Sequence, residues 1–341
     1  MKRIILAFDS YKGCLSSSEV ADTASVALKE SVPQCETVTV PLADGGEGTV
    51  DSIAGYLGGI KVSAFVSDPV GRPIMAEYAI SGSLAIIESA SCLGLSLLTD
   101  NERNPLKTSS RGLGELILDA IGRGCTSFII GLGGSATNDG GRGMVEVPGF
   151  LSRARGMNFS VACDVMNPFV GVNGASRVFG PQKGASAQEI EMLEKRMYDY
   201  SLRILDETGV DVRDMPGAGA AGGLGGAFKA FLGAELKRGI DFVLDIIHFE
   251  EVSKGADLII TGEGRSDAQT LMGKCASGVL ARSGGIPVVL MSGSVRDVGL
   301  LSEAGFAAIV SVTPEGMSLA EGMKGDVARK NIKRAIISLT K

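Results

Sequence analysis

The 341-residue sequence predicts an α/β fold: a discontinuous, Rossmann-like doubly wound parallel-sheet domain carrying an inserted mixed α/β domain. Three observations predict it. Both ends of the chain alternate short apolar runs with helical patterns, the signature of β-α-β units. The middle instead carries short strands punctuated by hairpin signals. Glycine-rich loops bearing hydroxyl and charged groups follow the apolar runs, where open α/β sheets present their ligand-binding loops.

At the N-terminal end, residues 4–8 read as a buried strand, and Ser16 with Glu19 stands in capping-box spacing at the start of a helix running to about residue 31. Residues 36–40 return as a strand, which predicts a parallel pair with a right-handed crossover. Toward the C-terminus, residues 256–260, 286–291 and 307–312 read as strands, separated by a helix over 273–282 and a segment over 300–305; a helix over 328–339 closes the chain. In between, residues 62–65, 76–80 and 84–88 resemble antiparallel strands, separated by Pro69-Val70-Gly71-Arg72-Pro73 and Ser81-Gly82-Ser83. The expected domains are therefore 1–65 plus 255–341 for the Rossmann-like part and 66–254 for the insert, with the ligand site in the cleft between them.

Composition narrows the function classes. Apolar residues make up 45% of the chain, enough for a large core. A net charge of −6, with 5% aromatic residues and no Trp, gives neither a basic footprint nor stacking platforms for nucleic acid. Asp9 and Lys12 cut the first apolar run short of a secretory segment, and no run reaches membrane-spanning length. A soluble cytoplasmic protein is expected, without nucleic-acid or membrane partners. Six cysteines lack metal-ligand spacing and read as reduced thiols.

The run Gly133-Gly134-Ser135-Ala136-Thr137-Asn138-Asp139-Gly140-Gly141, entered from an apolar strand at 127–131, carries the most chemistry. Glycines let successive N–H groups converge on an oxyanion, Ser135 and Thr137 add hydroxyls, and Asp139 offers a hard oxygen for Mg²⁺. The alternative is a tight strand-to-helix turn that needs only glycine. Residues 131–136 match GxGxxA and residues 217–222 match GxGxxG, but neither sits in a clear βαβ unit with an acidic strand end about twenty residues on. Hydride transfer is the weaker reading for that reason. No P-loop is present, because Gly273-Lys274 is followed by Cys275.

Other strand-end loops add charge. Lys12 follows the first strand and suits a substrate carboxylate or phosphoryl oxygen, or else a solvated ion pair. Asp44 follows the second among glycines, as a metal or hydroxyl ligand or as a helix-start carboxylate. Asp164 ends an apolar strand and either takes a hydroxyl proton or closes an Asx turn before Pro168. Arg265 supplies a bidentate anion ligand, with Asp267 and Lys274 just beyond, and Lys183 follows in Gly180-Pro181-Gln182-Lys183. His248 is the single histidine, in an apolar context that reads as structural, so acid/base work falls to carboxylates and lysines. That suits phosphoryl transfer.

In order along the chain, DSYKG at Asp9, ADGGEGT at Ala43, DPVGRP at Asp68, RNPLKTSSRGLGELI at Arg103, GLGGSATNDGG at Gly131, VACDVMNP at Val161, FGPQKGA at Phe179, PGAGAAGGLG at Pro216 and TGEGRSDAQTLMGK at Thr261 resemble the type I glycerate kinase family. The resemblance implies an ATP- and Mg²⁺-dependent kinase that phosphorylates D-glycerate, usually at the 2-hydroxyl. It also implies a discontinuous Rossmann-like domain with an α/β insert. A homodimer stays open as the assembly. The chain departs from the family where only residues 145–160 separate Met144 from Val161, a stretch that is longer in the family. The roles expected are phosphate binding by Gly133, Gly134, Ser135, Thr137 and Asn138, and Mg²⁺ on Asp139 with Asp44 or Asp267. Lys183 and Lys274 neutralise charge, Asp164 is the base, and Lys12 or Arg265 clamps the glycerate carboxylate. An NAD-dependent hydroxy-acid oxidoreductase and a non-catalytic anion-binding relative are the competing readings.

Overall fold

The computed structural model describes residues 2–43 and 48–340, so Asp44 lies outside the described residues. Its strands, in chain order, are β1 (Arg3–Phe8), β2 (Glu36–Pro41), β3 (Ile60–Ser67), β4 (Pro73–Ser81), β5 (Leu84–Glu88), β6 (Ser127–Gly131), β7 (Asn158–Ala162), β8 (Glu235–Lys237), β9 (Leu258–Gly262), β10 (Arg265–Ser266), β11 (Val288–Ser292), β12 (Ser294–Val295) and β13 (Ala308–Ser311). Two compact units emerge: Met1–Asp44 with Ile240–Lys341, and Gly45–Gly239. The strand β3 lies in the second unit and the helix Phe249–Ser253 in the first.

The first unit holds a five-stranded sheet in the order β13-β11-β9-β1-β2, parallel throughout. Numbered within the unit this is 2-1-3-4-5, the flavodoxin-like doubly wound order rather than the 3-2-1-4-5-6 order of dinucleotide-binding folds. The strand order reverses between β1 and β9. Alternation along the strands explains the two covered faces. Ile4, Leu6, Phe8, Ile260, Val289 and Met291 pack with Val20, Ala24 and Leu28 of the helix Ser17–Ser31 and with Ile332 and Ile336 of the helix Gly325–Leu339. The intervening Ile5, Ala7, Ile259 and Leu290 are equally buried, and the helix Cys275–Ala281 packs against β1 and β9. At the start of the Ser17–Ser31 helix, Glu19 N–H donates to Ser16 Oγ at 3.2 Å and Ser16 N–H to Glu19 Oε2 at 2.9 Å, the reciprocal box read from the sequence.

The second unit holds a six-stranded sheet in the order β3-β4-β5-β6-β7-β8. The pairs β3/β4 and β4/β5 are antiparallel as expected, but β5 also pairs parallel with β6, and the sheet continues parallel through β7 to β8. A hairpin pattern fixes only one edge of a strand, so the parallel side of β5 was hidden. The core gathers Ile87, Phe128, Ile130, Phe159 and Val161 with Leu113, Leu116 and Ile117 of the helix Arg111–Gly122 and Leu224 and Phe228 of the helix Ala220–Leu232. Phe128 stacks on its cross-strand partner Phe159 with ring centroids 4.6 Å apart. All six cysteines are unpaired thiols, and no helix among the described residues is long and apolar enough to cross a membrane.

Close backbone approach fixes one glycine in the first sheet. A Cβ on Gly262 would lie 1.8 Å from the Met291 carbonyl oxygen, across the β9/β11 seam. Gly262→Ala is expected to cost about 1–3 kcal/mol of stability in urea unfolding. Gly299→Ala, where a Cβ meets no atom within 4 Å, is expected to leave stability unchanged or raise it by up to about 1 kcal/mol.

Candidate active site

In the second unit β6 ends at Gly131, and the chain runs through a buried loop with positive φ at Gly134, Gly140 and Gly141. Those conformations require glycine and fold the backbone into a cradle. Ser135, Thr137 and Asn138 are buried at its floor. Lys183, itself 3% exposed, donates from Nζ to the Thr137 carbonyl at 2.7 Å and to Ser135 Oγ at 3.3 Å. The sequence placed Lys183 far from the run, and the fold brings it onto it. Burial pushes this ammonium down to about 7, with the Asp139 carboxylate opposing the shift.

Asp139 ties the exit of the cradle together. Its Oδ2 accepts from Ser110 N–H at 2.8 Å, Ser110 Oγ at 2.9 Å and Gly143 N–H at 3.1 Å, and its Oδ1 from Gly141 N–H at 3.1 Å. Behind the loop, Ala221, Gly222 and Gly223 turn left-handed in succession. Gly222 carbonyl accepts from Gly140 N–H at 2.9 Å, and a Cβ on Gly222 would sit 2.0 Å from the Thr137 carbonyl oxygen. The glycine-rich segment 217–222 therefore serves as the support of the cradle. It follows a turn, not a strand, and the segment after β6 runs into the loop rather than directly into a helix, so neither match has the strand–helix setting of a dinucleotide fingerprint.

Asp164 follows β7, the parallel neighbour of β6, with Gly131 opposite Ala162. Cradle and carboxylate thus leave the same edge of the sheet on adjacent strands. Asp164 is exposed, and its Oδ1 accepts from Gly239 N–H at 2.8 Å, at the start of the helix Gly239–Ile246.

In the first unit the loops after β1 and β9 meet at the reversal point. A Cβ on Gly264 would lie 3.3 Å from the Lys12 backbone nitrogen, so Lys12, Arg265, Asp267 and Lys274 share this end of the sheet. Arg265 pairs with Asp267 at 3.2 Å, and Asp267 Oδ1 also accepts from Gln269 N–H at 3.0 Å. Glu263, buried, accepts from Thr270 Oγ1 at 2.6 Å and Ser266 Oγ at 3.2 Å and faces Lys274 at 3.6 Å. Ser266 in turn bonds Ser292 at the end of β11 at 2.7 Å. The charged loop residues were legible in sequence; Glu263, Ser292 and Ser110 were not singled out, because a hydroxyl or carboxylate announces its role only through its partners. His248 caps the helix Phe249–Ser253 in a left-handed conformation, exposed to solvent.

Among the described residues no three His, Cys, Asp or Glu side chains converge as a metal cage. Asp139 and Asp267 are single carboxylates already held by donors. Each of the two, taken in its own unit, offers a single carboxylate of the kind that supports an ion of the Mg²⁺ type bound largely through substrate phosphates.

The Lys183 geometry yields a pH dependence. Its folded value near 7 lies below the ordinary 10.5, so the burial penalty is full below about pH 7 and is relieved as pH rises toward 10.5. In that window this lysine alone is expected to raise unfolding free energy by up to about 1.4 kcal/mol per pH unit. Lys183→Met is expected to abolish that slope, read by urea unfolding between pH 7 and 10.

The glycerate kinase family model matches residues 4–152 and 145–341. Glycerate 2-kinase of Escherichia coli (strain K12) is 43% identical over 366 aligned positions, covering 98% of this chain and 96% of that protein. Glycerate kinase of Bacillus subtilis (strain 168) is 40% identical, covering 94% and 93%. A crystal structure from Salmonella typhimurium LT2, provisionally designated glycerate kinase 2, superposes with a TM-score of 0.89 at 39% identity, over 99% of this chain and 97% of that one. The E. coli alignment is longer than the chain, and the two family matches overlap at 145–152, where the family's longer segment was expected. With its motifs, its fold and its relatives in agreement over nearly the whole length, the chain belongs to the glycerate kinase family.

Proposed function

We propose that this chain transfers the γ-phosphoryl group of ATP to the 2-hydroxyl of D-glycerate. The observation that carries the reading is the glycine cradle after β6 with a buried lysine donating onto it, in a chain whose 43%-identical relative is named glycerate 2-kinase. Phosphoryl transfer demands positioning and charge neutralisation more than covalent chemistry from the protein. The backbone donors of Gly133, Gly134, Ser135 and Thr137 hold phosphate oxygens, and Asn138 completes the floor. Lys183 and Lys274 supply positive charge, and Lys12 or Arg265 takes the glycerate carboxylate. Asp164 accepts the hydroxyl proton as the substrate oxygen bonds to γ-phosphorus and the bond to the ADP oxygen breaks. When bound, Mg²⁺ offsets phosphate charge, and Asp139 and Asp267 are the described carboxylates assigned to it.

A coupled assay is expected to show ADP formation only with D-glycerate and Mg²⁺ present, and NMR of the product to show phosphorus on the 2-oxygen. A 3-phosphorylated product would overturn the regiochemistry. No ADP formation from folded protein would overturn the reaction itself. Asp164→Asn is expected to lower kcat by about 100-fold or more while leaving the ATP KM within a few-fold, measured in the same assay. Near-normal turnover would remove Asp164 from the role of base and leave it as the cap of the helix at Gly239.

A further inference from the structure

In the first unit, residues 262–274 fold around one carboxylate. Glu263 follows β9 directly and its side chain is 8% exposed, while Ser266, Thr270 and Ser292 beside it are fully buried. Glu263 Oε1 accepts from Thr270 Oγ1 at 2.6 Å and from Ser266 Oγ at 3.2 Å. An ionised carboxylate donates nothing, so both hydroxyl protons point at it and the remaining directions follow. With the Ser266 proton engaged, Ser292 Oγ donates to Ser266 Oγ at 2.7 Å, and Ser292 Oγ itself accepts from Glu263 N–H at 3.3 Å. The ring of bonds closes on the residue where it began. Thr270 Oγ1 likewise accepts from Asp267 N–H at 3.1 Å while donating to Glu263. Backbone and Oε1 are thereby fixed, and Oε2 faces Lys274 Nζ at 3.6 Å.

We propose that Glu263 is a positioning residue, which holds the Lys274 ammonium in the place where it neutralises the transferring phosphoryl group. The inference rests on the phosphoryl-transfer reading above and adds to it the residue that sets one of its charges. With Oε1 taken by two hydroxyls and little surface exposed, the carboxylate acts through the lysine rather than on a substrate proton. The neighbouring pair of Arg265 and Asp267 is different: its guanidinium is 54% exposed, and exposed pairs hold a geometry weakly. A buried carboxylate that lost its partner would keep its desolvation cost, so the Glu263 pair has a reason to persist.

Lys274 needs such a partner. Its carbonyl accepts from Gly278 N–H at 3.0 Å and Ser277 Oγ at 2.9 Å, which pins the backbone at the start of the helix Cys275–Ala281. The ammonium stands at the end of a flexible four-carbon stem, half in solvent, and among the described residues its ion pair is to Glu263. A cation at the start of a helix also works against the helix dipole, so Lys274 does not serve the helix it begins. A fixed carboxylate restricts the stem and offsets the dipole, leaving the ammonium preorganised before any ligand arrives.

The test joins a double-mutant cycle in the ADP assay to an NMR measurement of Lys274 itself, both on the full chain. Glu263→Gln keeps an amide oxygen for Ser266 and Thr270 and removes the charge that faces Lys274. It is expected to lower kcat about tenfold with the ATP KM within about threefold, and Lys274→Met to lower kcat about 100-fold. The double variant is expected to match Lys274→Met within about twofold, because the carboxylate acts through the amine. A double variant about tenfold below Lys274→Met overturns the inference, as does wild-type kcat in either single variant. In protein carrying isotope-labelled lysine, the Lys274 Cε signal, assigned by its absence from Lys274→Met, is expected to show restricted motion in the wild type and to lose it in Glu263→Gln and Thr270→Val, with Thr270→Ser restoring it. Equal Lys274 order in the wild type and Glu263→Gln overturns the inference, and should Glu263→Gln fail to fold, the two Thr270 variants decide it by the same readout. A wild type that forms no ADP with D-glycerate would overturn the proposed reaction, while the order of Lys274 still decides whether Glu263 positions it.

Discussion

The second unit depends on the carboxylate of Asp139. Four donors from three places in the chain converge on it: two from Ser110 at the start of the helix Arg111–Gly122, one from Gly141 and one from Gly143. Charge-assisted bonds to N–H and O–H groups are among the stronger polar contacts in a protein, and here they close the exit of a buried loop of glycines. The entrance of the loop is fixed by the β6/β7 ladder and its floor by the left-handed bend at Gly222, so Asp139 supplies the remaining constraint. A glycine loop without such a clamp would lose backbone entropy each time an anion bound.

The sequence disclosed what periodicity and local chemistry encode. Strands β1, β2 and β9, the capping box at Ser16 and the hairpin β3/β4 follow from patterns spanning fewer than a dozen residues. Strand order does not, because β9 joins β1 only through contacts between residues some 250 positions apart. The same limit applies in the site. Gly133–Asp139 were visible as a cradle, yet the lysine lying on it comes from residue 183 and the support beneath it from residue 222. The GxGxxG match at 217–222 shows the converse: set aside as a dinucleotide fingerprint for want of a strand before it, it marks a close approach to this chain's own backbone at Thr137.

The stretch after Met144, expected to be longer in the family, is held by packing. Residues Arg142–Val145 and Phe150–Ala154 form two short helical turns before β7, and Met144, Val147, Phe150 and Ala154 all enter the core of the second unit. Gly114 allows this, since a Cβ there would lie 2.6 Å from the Met144 carbonyl oxygen and 2.9 Å from Val147 Cγ2. The hydrogen bonds that shape the cradle do not draw on residues 145–160: Asp139, Ser110, Gly141 and Gly143 lie before that stretch, and Lys183 and Gly222 lie well after it.

Lys183 shows how burial sets the charge that such a site can offer. Buried beside a carbonyl and a hydroxyl, the ammonium has hydrogen-bond acceptors but no ion-paired carboxylate among the described residues, and desolvation lowers its affinity for a proton. A salt bridge to a protein carboxylate would have satisfied the charge and also neutralised it, leaving little field for a ligand. Asp139 instead spends its oxygens on Ser110, Gly141 and Gly143, holding the loop in shape while exerting only a through-space pull on the lysine. In the proposed reaction an incoming phosphate would meet a donor whose positive charge is not already cancelled, and its own charge would make protonation of that donor more favourable. The separation of the carboxylate that shapes the cradle from the lysine that charges it lets one small loop be both rigid and receptive to an anion.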